Sequence, residues 1–235
     1  MTRTWGRTRV ETRPRGARIA GSLALLILMA GCDDGAPPEE SGETGKAARP
    51  SYTLRLDSES SDLEEFQLVE DDDGIRVQSG PAGIAYRSDD LVSSGDFHVE
   101  ATFLQYGAPL GYREAYGIFV GGIDLEGPDL EYTYLLVRPT GDFLVKRRIG
   151  EITETLADWT PSDAVQRVLE EGDEPLNTLA VDVFDGETRF MVNHAIVFSL
   201  PATRVRPYGI AGIRVNHRLD VRVDDWAILD TSTES

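Results

Sequence analysis

Gly95-Asp96-Phe97-His98-Val99-Glu100-Ala101-Thr102-Phe103 alternates apolar and polar side chains along its whole length. In an extended chain successive side chains point to opposite faces, so Phe97, Val99, Ala101 and Phe103 share one face and His98, Glu100 and Thr102 the other. A helix of 3.6 residues per turn would scatter this apolar set, so the stretch predicts a strand with one face in a core. The same period of two recurs at 132–138, 143–148, 179–183 and 190–192. Turn signals separate these segments. Asp73-Gly74 lies between the apolar runs 66–69 and 75–77, Asp185-Gly186 precedes Phe190, and Asn193-His194 follows Val192. Asn, Asp and Gly take the positive φ that tight hairpins need. Segments 210–215 and 219–228 close the pattern, joined near Asn216-His217-Arg218.

Roughly twelve short strands with few helices predict an all-β protein, a two-sheet antiparallel sandwich or jelly roll. One short helix is expected over 162–171, after Thr160-Pro161, with Ser162 as N-cap. The sandwich is assigned to 51–231, with a tail at 232–235. That length is enough for a sizeable two-sheet core.

The 235 residues carry 41 acids and 23 bases, a formal charge of −18. Six of the bases (Arg3, Arg7, Arg9, Arg13, Arg15, Arg18) and one acid, Glu11, precede residue 19. The rest therefore holds 17 bases and 40 acids, a net −23. Such a surface repels phosphate backbones, which argues against nucleic acid as a partner. A single cysteine, Cys32, excludes an intramolecular disulfide and a Cys-rich zinc site.

Residues 1–31 read as an address. A basic segment leads into the apolar run 19–30, whose 12 residues fall short of the roughly 20 that cross a bilayer but suit a signal peptide. The end, Leu28-Met29-Ala30-Gly31-Cys32, resembles a bacterial lipobox, which implies lipidation of Cys32. Two or more acyl chains give stable anchoring. Residues 33–50 hold Gly, Pro, Glu and Ser without a large apolar side chain, as a flexible tether does. The expected location is the cell envelope, lipid-anchored to a membrane with the domain on the extracytoplasmic side.

Across 95–229 the motifs resemble the concanavalin A-like lectin/glucanase superfamily. The carriers are Gly95-Asp96-Phe97, Tyr116-Gly117-Ile118-Phe119-Val120-Gly121-Gly122, the pair of segments around Val181 and Val192-Asn193, and Tyr208-Gly209-Ile210-Ala211-Gly212-Ile213-Arg214 followed by the strand containing Asp224-Asp225. Within it, the chain is most similar to laminin-G-like and 3-keto-disaccharide hydrolase-like domains. The glucanase branch carries Glu-x-Asp-x-x-Glu on one strand, and no such run exists here. The resemblance therefore implies the fold more than an activity.

Alternation also sorts polar residues by face. With Leu135 and Val137 inward, Tyr132, Tyr134 and Arg138 share the other side. Lys146 and Arg148 follow from Phe143 and Val145, and Arg214 and Asn216 from Ile213 and Val215. Rings that cover sugar C–H faces, beside planar groups that meet hydroxyls, are what carbohydrate recognition uses. These seven residues are the candidate ligand-binding set, expected on the concave sheet, with acids such as Glu100 or Asp182 holding their charges. Trp159, placed on a loop, could edge that face. Asp124, Glu126 and Asp129 are the calcium candidates on a loop, a structural ion if bound, and no other cofactor is expected. His217 is the candidate base for a hydrolase reading, next to Asn216. Three functions remain open: a glycan-binding module, a non-catalytic envelope scaffold that binds protein, and a glycoside-acting hydrolase.

Overall fold

The computed structural model describes residues 51–71 and 74–232. The expected signal segment, Cys32 and the expected tether lie outside the described residues. Phe97, Val99, Ala101 and Phe103 are all buried, and His98, Glu100 and Thr102 are partly exposed, so the alternation of this strand sets its two faces.

Fourteen strands are described: β1 (Thr53–Leu56), β2 (Phe66–Glu70), β3 (Gly74–Ser79), β4 (Gly83–Val92), β5 (Phe97–Gln105), β6 (Tyr116–Ile123) and β7 (Glu131–Arg138), then β8 (Asp142–Ile149), β9 (Ile152–Pro161), β10 (Leu176–Phe184), β11 (Glu187–Val192), β12 (Ala195–Pro201), β13 (Gly209–Val215) and β14 (Asp220–Asp230). They form two antiparallel sheets of seven. One has the order β1-β4-β13-β6-β7-β8-β9, the other β12-β11-β10-β5-β14-β3-β2. Among the described residues no helix is long and apolar enough to cross a membrane.

Inward side chains of both sheets make the core. Val99, Phe103, Leu179, Val181 and Val221 come from one sheet, and Ile118, Leu135, Val145 and Ile213 from the other. Full burial of such side chains contributes about 1.5–3 kcal/mol each. The tight turns follow their chemistry: Asp185, Asn193 and His194 all adopt positive φ at hairpin tips.

The helix expected over 162–171 is absent, and the segment runs as turns. Its amides find partners outside a helical ladder. Val168 N–H donates to Pro139 O, Gln166 N–H to the Asn177 side chain, and the Leu169 and Glu170 N–H groups to Asp173. Val165 and Val168 are buried, tying the segment down against the sandwich without a helix. The only α-helical turn among the described residues is Ala202–Val205, with a 3-10 turn at Leu63–Glu65.

A second apolar layer lies on the outer face of the first sheet. Tyr86, Phe119, Tyr132, Tyr134, Leu136 and Leu144 are buried there, joined by Leu125 and Leu130 from the loop 124–130. Gly212 sits in this layer between Tyr86 and Phe119. A Cβ at Gly212 would stand 2.6 Å from the Phe119 ring and 2.6 Å from Ala85 O. Gly212→Ala should therefore lower stability by about 1–3 kcal/mol, the cost of overpacking, measured by urea unfolding. An unchanged midpoint would show that the layer can yield.

Candidate ligand-binding face

Strand register puts the predicted residues on one face. Tyr132 lies opposite Arg148, Tyr134 opposite Lys146, and Arg138 opposite Asp142. Phe119 lies opposite Tyr134 and Gly212, and Arg214 is two residues on from Gly212 along β13. Arg138, Lys146 and Arg214 thus share a side of the sandwich.

This face is hollow. β1 and β8 are separated by β4, β13, β6 and β7. In a flat sheet five steps of about 4.8 Å would hold them about 24 Å apart. Yet Asp57, one residue past β1, accepts a 2.7 Å hydrogen bond from Arg148 on β8. Two side chains cannot span the flat distance, so the sheet curves over this face.

Asp57 is the centre of the hollow. Its oxygens accept two bonds from Arg214, at 2.9 and 2.6 Å, besides the one from Arg148. Arg214 also donates to the Tyr132 hydroxyl at 2.9 Å and lies over the Tyr134 ring, 4.7 Å from its centroid. Burial pushes the Asp57 carboxyl upward, but hydrogen bonds and charge from Arg214 and Arg148 outweigh it and hold the group below its ordinary value. Burial likewise opposes the Arg214 charge, and Tyr132, Asp57 and Tyr134 more than restore it, raising its pKa. Burial raises the Tyr134 phenol, against the nearby Arg214.

The hollow therefore has two ends. At one, Tyr132 is 1% exposed and Arg214 7%, closed under Asp57. Arg55 adds to this lid by donating to the Leu125 and Gly127 carbonyls. A cleft of about 730 Å³ opens beside it, lined by Asp57, Leu130, Arg148 and Glu151 among others. At the other end Arg138, Lys146 and Trp159 are partly exposed. Trp159 is in the edge strand β9 rather than on a loop, within the register shift between the Thr160–Phe143 and Ala157–Val145 pairs. The Arg138 guanidinium stacks on its ring at 4.2 Å and bonds Asp142 at 3.0 Å. Asn216 is past the end of β13, where its backbone is bonded to Ala115 and Ser79, apart from this cluster.

The acid that holds the arginines is thus Asp57, which the sequence reading missed. Glu100 and Asp182 belong to the other sheet, where they flank His98 at 3.4 and 2.6 Å. Of the calcium candidates, Asp124 bonds the Asp129 amide within its own loop, and Glu126 faces the Tyr86 hydroxyl at 3.5 Å. Among the described residues no three His, Cys, Asp or Glu side chains are grouped to hold a metal ion. The His217 side chain is 61% exposed, 3.6 Å from Glu114. It lines a separate cleft of about 620 Å³ with Asp62, Glu65 and Arg218.

Two seven-stranded antiparallel sheets packed face to face define an antiparallel β-sandwich. Solved structures share it. Carbohydrate-binding module CBM66 from Bacillus subtilis is 10% identical, with a TM-score of 0.53 over 77% of this chain and 96% of that one. The VIP36 exoplasmic/lumenal domain, in its Ca2+/Man3GlcNAc-bound form, is 9% identical, with a TM-score of 0.51 over 79% and 86%. Alginate lyase A1-II′ is 9% identical, with a TM-score of 0.50 over 77% and 95%. No family model and no curated protein matches the chain.

Removing the Asp57 charge leaves two guanidinium groups facing each other. Asp57→Asn should cost about 3 kcal/mol, the scale of breaking a buried pair. The sign with pH follows from the lowered carboxyl. Its contribution is complete above the ordinary value of 3.8 and is lost as pH falls through the lower folded value. Wild-type stability should thus drop in that acid range, with a shallower acid limb in Asp57→Asn. Parallel pH curves for the two proteins would contradict the role given to Asp57.

Proposed function

We propose that this chain is a carbohydrate-binding module, carried on a lipid-anchored tether outside the cytoplasmic membrane. The observation that supports it best is the open end of the hollow face. There a partly exposed Trp159, with Arg138 stacked on its ring, lies near the hydrogen-bonding Lys146, which pairs with Tyr134. An indole covers the C–H face of a sugar ring while guanidinium, ammonium and hydroxyl groups meet its hydroxyls. The contact set on this reading is Trp159, Arg138 and Lys146, above the buried Tyr134. Tyr132, Arg148 and Arg214 brace it from below. The solved structures of the same fold include a carbohydrate-binding module and a domain bound to Man3GlcNAc, which is consistent with this use of the fold. The hydrolase reading rests on His217, whose cleft holds none of these aromatic residues. Fold likeness alone licenses neither.

Screening the full chain, purified in detergent, on a glycan array and then by calorimetry should give saccharide binding that quenches Trp159. Trp159→Ala should weaken it about tenfold, since such ring contacts and their burial are worth about 1–2 kcal/mol. Saturating sugars that give no heat, with a co-purifying envelope protein that does bind, would favour the scaffold instead. For the anchor, cells fed a labelled fatty acid should label the wild-type chain and not Cys32→Ala. Equal labelling would remove the lipid tether from the account.

A further inference from the structure

The basic side chains of the hollow face are not all paired. Arg138 is matched by Asp142. Arg148 and Arg214 share the single carboxylate of Asp57. Lys146 stands on β8 between Tyr134 and Thr155. It is partly buried, and among the described residues no hydrogen-bond or ion-pair partner reaches its ammonium. Glu154, the acid next to Thr155, is paired with Arg204 instead. A chain of net charge −18 thus presents one ammonium without a carboxylate partner among the described residues at the accessible end of this face, while Glu126 and Glu151 border its other end.

We propose that the saccharide bound here is anionic, with its acidic group on Lys146. This rests on the carbohydrate-binding reading and names the class of sugar. An ammonium without a carboxylate partner makes its strongest hydrogen bond to an anionic acceptor, stronger than to a neutral hydroxyl. Trp159 falls between the Thr160–Phe143 and Ala157–Val145 pairs, beside the part of β8 centred on Leu144, which is two residues or about 7 Å along the strand from Lys146. A ring stacked at Trp159 therefore brings an acidic group on the same or the next sugar within reach of Lys146. Lysine is a point charge without the planar fork of arginine, so a carboxylate and a sulfate ester both satisfy it. The acidic remainder of the domain repels polyanions at long range, which confines binding to short stretches that enter the hollow.

The test is calorimetry on the full chain in detergent with four probes of similar length: an oligogalacturonate, its methyl ester, a sulfated galactan oligomer and a neutral galactan oligomer. One or both acidic probes should bind at least about tenfold tighter than the neutral ones, the scale of a charge-assisted hydrogen bond. The stronger of the two acidic probes names the acidic group. Lys146→Gln should abolish the preference while Lys146→Arg keeps it, and added salt should weaken only the acidic probes. Neutral oligomers binding as tightly as acidic ones, or a preference that survives Lys146→Gln, would overturn the anionic class and leave carbohydrate binding standing. If none of the four binds and the glycan array is also blank, both readings fall.

Discussion

One carboxylate holds together strands that the sheet keeps far apart. Asp57 bonds Arg214 from the middle of the first sheet and Arg148 from near its far edge. Those bonds require the sheet to curl, and the curl makes a hollow from what would otherwise be a flat outer face. The aromatic layer depends on it as well. Phe119 and Tyr132 lie 5.1 Å apart and Tyr132 and Tyr134 5.7 Å, and they stay dry because Asp57, Arg55 and the loop 124–130 cover them. Desolvating three charges is costly, and only their mutual bonds make the arrangement tolerable. Loss of one partner should be felt across the whole face.

The same clasp decides which groups can meet a ligand. Arg148 and Arg214 point away from the inter-sheet core but are committed to an internal acid, so they serve the shape of the site. What remains accessible is the side of the hollow bounded by β7, β8 and β9. There the edge strand departs from regular pairing at two register shifts and presents Trp159. Irregular pairing near a site commonly re-aims a side chain, and here it places an indole beside the arginine that stacks on it.

Much of the architecture was legible because period-two alternation is a local signal. The set Phe97, Val99, Ala101 and Phe103 gave the inward face of β5 directly, and parity on β7, β8 and β13 gave the shared side of Tyr134, Lys146 and Arg214. Other parts were not local. β9 reads Ile-Thr-Glu-Thr-Leu-Ala-Asp-Trp-Thr-Pro, polar on both faces as an exposed edge strand can be, so its segment passed for a loop. The run at 162–171 has helical composition, and tertiary hydrogen bonds to Pro139 and Asn177 override it. Asp57 follows a strand of only four residues and lies 157 positions from Arg214. No spacing rule connects two residues that only the curl of a sheet brings together.

The central claim is that the accessible end of the hollow face, and no other surface, takes the saccharide. Chemical-shift mapping by NMR during a titration with the tightest-binding oligosaccharide tests it most directly. The account predicts shifts at the Trp159 indole and at Arg138, Lys146 and Tyr134, fading toward Tyr132. Shifts concentrated around His217 and Glu114, or on the opposite sheet at His98 and Asp182, would contradict it.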